Sequence, residues 1–540
     1  MHPTDEPSPP NPMPSKSAAN TGPWYHLLSR YHWFVLVVAA LGWLFDCLDQ
    51  QLFILARPAA MKELVESRPD ESQEKLEQRR RASADVATSL FIAGWAAGGL
   101  FFGMLGDRIG RAKTMMITIL LYSACTGLSA LSVGVWDFAF YRFLTGLGVG
   151  GEFAVGVALV AEVMPALARP YALGLLQALS AFGNIAAAFI NLGLGIAASE
   201  AEGGLPTSPW RIMFLIGALP ALLALVVRLG LKEPEQWQKI AGQSRDETGI
   251  REGEPPIRIA AQPQLGSYAE LFRDPVWRKH AICGLILGCS GIIGLWSIGF
   301  FVPDLTGYIQ RKSVAAEVYA ERIEEAKNNN DEELARKWTT INEHEQARKM
   351  PKLSPELKKL QKDEAEEKIG GILARWGSYA SLMINIGAFF GIYGFGLLAQ
   401  WIGRKISFVI ALSAAFVSTA AVCLFLQDFW QMLIMVPIMG FCQLSLFGGY
   451  AIYFPELFPT RLRSTGTSFC YNVGRFFAAL GPLVKTVLEG FFQSSVSSEA
   501  VAQDPVIHLR YAGVTMCLVF LVGFFVLPFL PETKGQPLPE

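Results

Sequence analysis

Charge is scarce in this chain. Only 17% of its 540 residues are Asp, Glu, Lys or Arg, against 51% hydrophobic and 12% aromatic, and the mean hydropathy is +0.32. That scarcity excludes an ordinary soluble globular protein, in which about a quarter of residues are charged. Histidine is rarer still. The six, His2, His26, His32, His280, His344 and His508, fall in tails, loops or helix ends, and no nucleophile–His–acid spacing, phosphate-binding loop or metal cluster accompanies them. The reading is therefore not an enzyme, with no cofactor and no metal. The eight cysteines, Cys47, Cys125, Cys283, Cys289, Cys423, Cys442, Cys470 and Cys517, all sit inside apolar runs. With no CxxC spacing, they read as small buried hydrophobes and not as a disulfide framework. The net charge of −1 is the sum of loops of opposite balance, which points to no nucleic-acid partner. A cleavable leader is also missing, since the Pro-, Ser- and Asn-rich start has no basic stretch followed by an apolar core.

What the chain does have is long apolar runs. A spanning helix needs about 20 such residues, and runs of that kind recur near 33–58, 86–106, 114–134, 138–163, 171–197 and 211–231, then near 280–303, 378–399, 406–426, 430–454, 465–493 and 509–530. The expectation is an all-α membrane protein of about 12 transmembrane helices in two six-helix bundles. Residues 1–29 read as a disordered tail, 30–231 as the first bundle, 232–279 as a linker and 280–540 as the second bundle, with a charged helical insertion at 304–376. Arg108, Arg111, Lys113, Arg169, Arg404, Lys405, Arg461 and Arg463 all fall in short loops on one side. The positive-inside rule makes that side cytoplasmic, places both termini inside a cell (inner or plasma) membrane and puts the insertion outside.

One signature occurs twice. Gly103-Met104-Leu105-Gly106-Asp107-Arg108-Ile109-Gly110-Arg111 joins the second and third runs, and Gly396-Leu397-Leu398-Ala399-Gln400-Trp401-Ile402-Gly403-Arg404 joins the eighth and ninth. Glu162-Val163-Met164-Pro165 with Arg169 is likewise echoed by Glu456-Leu457-Phe458-Pro459 with Arg463, and Lys232-Glu233-Pro234 by Pro531-Glu532-Thr533. These motifs, together with Arg142-Phe143-Leu144-Thr145-Gly146-Leu147-Gly148-Val149-Gly150, resemble those of the major facilitator superfamily over nearly the whole chain. The resemblance implies two parallel halves around a midplane site that work by alternating access. It also implies a cytoplasmic gate built from Gly103, Asp107, Arg108, Gly110, Arg111, Arg142, Gly403 and Arg404. Gln400 stands where the first copy has Asp107, so the first half is expected to hold the stronger latch.

The first helix carries Asp46 and Asp49, three apart and so neighbours on one helical face. An ionised carboxylate at bilayer centre costs about 2.5–3.5 kcal/mol on the lenient scale. Repulsion and desolvation both favour holding a proton on the pair, which suits proton coupling. Asp46-Cys47-Leu48-Asp49 resembles the D-G-x-D stretch of the aromatic-acid and organic-acid:proton symporter and sialate carrier branches, with Cys47 in place of Gly. Glu152 is either a further proton site or an ion-pair partner for Arg142. Arg475 lies too deep in the eleventh helix to reach either surface, and its planar donor fork suits a carboxylate. It reads as a substrate group or as a fixed counter-ion. Gln177, Asn385, Gln443 and Tyr450, with Asn184 and Ser445, are candidates to complete its site, and Trp95, Trp296 and Phe300 to line it.

The expected activity is proton-coupled symport of a small organic anion, a carboxylate, by a monomer. Two alternatives stay open: a sugar or polyol porter, and a transporter-like receptor that uses the outer insertion.

Overall fold

The computed structural model describes residues 23–68, 73–200, 207–220, 222, 226–227, 230–246, 265–295, 301–347, 354–478, 481–497, 499–500, 504 and 506–539. Trp296, Phe300, the first 22 residues and the centre of the linker lie outside them. The regular elements among the described residues are helices: α1 (Arg30–Leu64), α2 (Gln73–Ile109), α3 (Arg111–Ser129), α4 (Val135–Val163), α5 (Arg169–Ala178) and α6 (Ser180–Glu200), then α7 (Pro209–Gly217), α8 (Glu235–Asp246) and α9 (Tyr268–Arg273). The second half follows as α10 (Pro275–Ile293), α11 (Phe301–Asn328), α12 (Glu332–Ala347), α13 (Pro355–Glu364), α14 (Glu366–Ile402), α15 (Arg404–Phe425), α16 (Phe429–Glu456), α17 (Arg463–Ala478), α18 (Gly481–Ser495), α19 (Ile507–Cys517) and α20 (Val519–Val526). Nine segments among the described residues are long and apolar enough to cross a bilayer by themselves; α5 and α6 run together as one of them, Arg169–Leu194.

Local chemistry sets the helix starts. Asp274 accepts from Val276 N and Trp277 N to begin α10, and Asp428 accepts from Gln431 N to begin α16, each filling orphan donors of a first turn. The turns into α3 and α15 need glycine, because Gly110 and Gly403 take φ of 112° and 97°, a region that L side chains avoid.

The duplication shows in the packing. α2 lies on α4 and α3 on α4, and in the second half α14 lies on α16 and α15 on α16. Small residues bring the backbones together: Gly98 rests on the Leu147 backbone, Gly146 on Phe91 O, Gly391 on the Phe441 backbone and Gly387 on Pro437 O. In a bilayer, where lipid competes with apolar packing, such close approach is the main attraction between helices. The halves meet through α17 against α2 and α14 against α5. Lipid-facing side chains stay bare, and Trp136, Trp401 and Trp430 are over 70% exposed near helix ends, as an interfacial belt requires.

The insertion is helical, as its Ala/Glu/Lys/Arg composition suggested. α11, α12, α13 and the first turns of α14 close over a small core of Val318, Tyr319, Trp338, Ile341, Ala365 and Ile369. Arg311–Glu366 (2.6 Å) and Lys368–Glu321 (2.5 Å) tie α11 to α14 at its edge. Since α14 continues unbroken into the segment Tyr379–Ile402, the insertion stands directly on a spanning helix.

Candidate functional site

Between the halves is a cavity of about 130 Å³. Helix α1 lines it with Trp43, Cys47, Gln50 and Gln51, α2 with Trp95, and α5 and α6 with Gln177, Ser180 and Asn184. The second half adds Ser381 and Asn385 from α14, Phe447 from α16, and Tyr471 and Arg475 from α17. Asn184 Nδ2 donates to Asn385 Oδ1 across the halves at 2.8 Å, and Asn385 Nδ2 donates to Ser381 O at 2.9 Å.

Arg475 is the cavity's charged group, 3% exposed. Its guanidinium carbon lies 4.2 Å from the Trp95 ring centre and 4.5 Å from that of Tyr471. Nη1 donates to Asn472 Oδ1 (2.5 Å) and Tyr471 O (3.1 Å), while Nε has no partner. No carboxylate pairs with Arg475 among the described residues, so the fixed counter-ion reading has no partner there. Gln443 and Tyr450 lie apart from the cavity. They donate to Gly294 O (3.1 Å) and Leu287 O (2.9 Å), which pins α16 to α10.

The side of α1 next to the cavity face holds the acids. Asp49 accepts from Thr126 Oγ1 at 2.6 Å and faces Arg142 Nη1 at 3.5 Å. Arg142 also donates to Ser129 Oγ and lies 4.6 Å from the Phe214 ring centre. Glu152 accepts from Thr118 Oγ1 at 2.9 Å through one oxygen, and the other rests on Gly42, one turn before Asp46. Arg142 is thus paired with Asp49 and not with Glu152. Asp46, Glu152 Oε1 and Tyr122 Oη are buried together; Asp46 faces the Tyr122 hydroxyl, and the charges acting on it include the carboxylates of Glu152 and Asp49. The two acids of α1 share a helical face, yet only Asp49 has a cationic partner among the described residues.

At the basic-loop end, the first signature joins the halves. Asp107 accepts from Ser464 N (3.1 Å), Thr465 N (2.8 Å) and Thr465 Oγ1 (2.6 Å), so a carboxylate of α2 caps the start of α17. Arg111 pairs with Asp107 and Glu162, both at 2.9 Å, and donates to Thr460 O at 2.6 Å. Glu162 also takes Arg463 at 2.7 Å. Arg108 reaches Gly266 O at 3.1 Å, and Gly103 leaves room for Ser468 of α17. Glu233 accepts from Arg111 N, Ala112 N and Lys113 N, capping α3. Arg142 lies twenty residues before Glu162 on α4, about 30 Å along a helix, so it does not belong to this cluster.

The second copy repeats the plan inside its own half. Arg404 holds Glu456 through two bonds, 2.8 and 3.0 Å. Glu532 accepts from Arg404 N, Lys405 N and Lys534 N. Burial pushes the Glu532 carboxyl up, but these backbone donors outweigh it and hold the group below its ordinary value. Where Asp107 crosses to the other half, Gln400 makes no comparable contact among the described residues.

Sequence reasoning did not single out Gln50, Gln51, Ser180, Ser381 or Tyr471 for the cavity. Gln50 and Gln51 directly follow Asp49 and were legible as polar groups inside an apolar run. Ser180 and Ser381 carry no such signal.

Comparisons with known proteins agree with this geometry. The family described as Sugar (and other) transporter matches residues 37–269. A Haemophilus influenzae chain named for metabolite transport is 26% identical over 95% of this chain and 99% of its own length. The Escherichia coli sialic acid transporter NanX is 25% identical over 81% of this chain and 84% of its own. Among solved structures, the proton:xylose symporter XylE superposes with a TM-score of 0.62 at 16% identity, covering 94% of this chain and 98% of XylE. Repeated motifs, a duplicated helical packing and these likenesses together make the chain similar to membrane transporters of the major facilitator superfamily over nearly its whole length, organic-acid carriers among them, with the fold of XylE.

Proposed function

We propose that this transporter carries a small organic anion, a carboxylate, together with a proton by alternating access. The observation that carries the reading is Arg475, a buried cation on the cavity wall with no carboxylate partner among the described residues. A buried guanidinium left alone is costly, and an anionic substrate supplies the missing charge. Asp46 supplies the proton site. Its carboxyl is buried with no cationic partner among the described residues, and Cys47, the next residue, shares the cavity wall with Arg475. An anion at Arg475 and a proton at Asp46 offset each other's burial cost, so each favours the other's binding. Asp49, held by Arg142, supports α1, and Glu152 shares the proton with Asp46. Asp107, Arg111 and Glu162 latch the cytoplasmic end, with both termini on that side and residues 304–376 outside.

Uptake of labelled carboxylates into vesicles under an imposed pH gradient tests this. Gradient-driven uptake is expected to disappear in Asp46→Asn and to fall sharply in Arg475→Gln. Gradient-independent uptake, or full coupling in Asp46→Asn, refutes it. A sugar or polyol reading draws on the amides of Gln50, Gln51, Gln177, Asn184 and Asn385 around the cavity. Saturable sugar uptake that survives Arg475→Gln favours it.

A further inference from the structure

The acids of the first half stand back from the cavity. None of Asp46, Asp49 and Glu152 lines it, and each is at most 1% exposed. A proton that serves transport must therefore move inside the bundle, along groups that both donate and accept.

Helix α3 supplies three such groups in a row. Thr118, Tyr122 and Thr126 are four residues apart, so they share one helical face, and all three are fully buried. Thr118 Oγ1 donates to Glu152 Oε2 at 2.9 Å, and Thr126 Oγ1 donates to Asp49 Oδ1 at 2.6 Å. Tyr122 stands between them on α3 and faces Asp46. One hydroxyl of this face thus serves each of the three carboxyl groups.

The middle position differs from the other two in its charges. Asp49 has Arg142 at 3.5 Å, whereas neither Asp46 nor Glu152 has a cation among the described residues. Two buried carboxylates side by side without a cation are costly, so a proton is held between them. Glu152 Oε1 rests against Gly42, one turn before Asp46 on α1, and has no donor among the described residues. The Glu152 and Asp46 carboxylates both act on the Tyr122 hydroxyl. Of the other titratable groups nearby, Cys125 lies beside the Asp49–Arg142 pair, and Cys47 and Arg475 lie on the cavity side of α1. A phenol accepts one hydrogen bond while its O–H donates another, so it can take the protonated acid on one side and the ionised acid on the other.

Resting on the reading of Asp46 as the proton site, we infer that Tyr122 relays the proton between Asp46 and Glu152. The Asp46 carboxylic acid passes its proton to Tyr122 Oη while the Tyr122 O–H passes its own to Glu152 Oε1. The phenol is regenerated, Asp46 is left ionised and Glu152 neutral, and the reverse step restores the start. No electron moves and no co-reactant is consumed. Thr118 is a positioning residue, because by holding Oε2 it leaves Oε1 as the oxygen that receives the proton. The step carries the proton from α1, beside the cavity, to α4 behind it.

Time-resolved infrared spectroscopy of the full-length chain in lipid vesicles, after photorelease of protons, tests this. The carboxylic C=O bands are assigned by their loss in Asp46→Asn and in Glu152→Gln. In the wild type both bands are expected to grow with one time course, because the relay equilibrates them. Tyr122→Phe keeps the ring and removes the hydroxyl. There the Asp46 band should keep its rate and move to higher wavenumber, and the Glu152 band should follow about 100-fold later or more. Thr118→Val keeps Tyr122 and provides a second test should the first variant fold poorly. Its ionised Glu152 loses a donor, so the Glu152 band should grow at the expense of the Asp46 band. Equal time courses in Tyr122→Phe, or unchanged shares of the two bands in Thr118→Val, overturn the relay. If Asp46→Asn still removes a band, those outcomes remove the relay alone. If it removes none, Asp46 holds no proton, and the proton-site reading beneath the relay fails with it.

Discussion

Replacing Asp107 by Asn should unlatch the basic-loop end of the transporter. The carboxylate accepts three hydrogen bonds from the first residues of α17, at 2.6–3.1 Å. Asn keeps the shape but has one acceptor oxygen and no charge. At least one charge-assisted bond is lost, about 1.5–3 kcal/mol, together with the attraction of a negative charge to a helix N-terminus, about 0.3–1 kcal/mol. Arg111 keeps Glu162 at 2.9 Å, so no stranded guanidinium adds to the sum. Because these contacts exist only while the two halves touch at this end, the whole loss of about 2–4 kcal/mol falls on that state. The ratio of closed to open conformers should drop about 30- to 700-fold. Spin labels on Lys113→Cys and Gln536→Cys, in a background without native cysteines, report this as a distance distribution. The wild type should show one short distance, and Asp107→Asn a major longer one. Gln400→Ala, at the equivalent place in the second copy, should change nothing. An unchanged distribution in Asp107→Asn, or an equal shift in Gln400→Ala, refutes the reasoning.

The two acids of α1 should part company: Asp49→Asn strips Arg142 of its buried partner and should destabilise the fold by about 3–5 kcal/mol, whereas Asp46→Asn should leave thermal stability unchanged and abolish proton-driven uptake. Thermal denaturation beside vesicle uptake checks both halves of that contrast. Gly110→Ala and Gly403→Ala should each cost about 1–2 kcal/mol for the left-handed backbone alone, and more because the added carbon meets the Glu233 or Glu532 carboxylate; melting temperatures measure it. The Glu532 carboxyl sits below its ordinary value, so its tie to the start of α15 is complete above the usual carboxylate range and is lost only as pH falls through the lower folded value. Amide exchange at Arg404 and Lys405 should accelerate there in the wild type, and at every pH in Glu532→Gln.

The helical membrane fold, its duplication and the prominence of Asp107 and Arg111 were legible because each rests on a local pattern: apolar runs of spanning length, and glycines, an acid and arginines at fixed offsets. Arg475 was legible because a guanidinium at that depth has few structural excuses. Contacts between distant helices were not. Nothing in the spacing of Asp46 and Asp49 tells which finds Arg142, because that depends on the rotation of α1 against α4. Gln443 and Tyr450 look as available as Gln177 and Asn385 along the chain, but they donate to carbonyls of α10. Arg142 opens a glycine motif that the resemblance assigned to the gate, but it lies near the start of α4 (Val135–Val163), the end away from Glu162.

The way Asp107 grips α17 bears on a quantity that no substitution measures, the water taken up in each cycle. Separating the halves uncovers the carboxylate, the first amides of α17 and the Glu162 cluster, and every one of those bonds must pass to solvent. Opening at this end is therefore a hydration step as much as a mechanical one. Its rate should follow water activity, and osmolytes that are excluded from protein surfaces should hold the transporter latched without touching the substrate cavity.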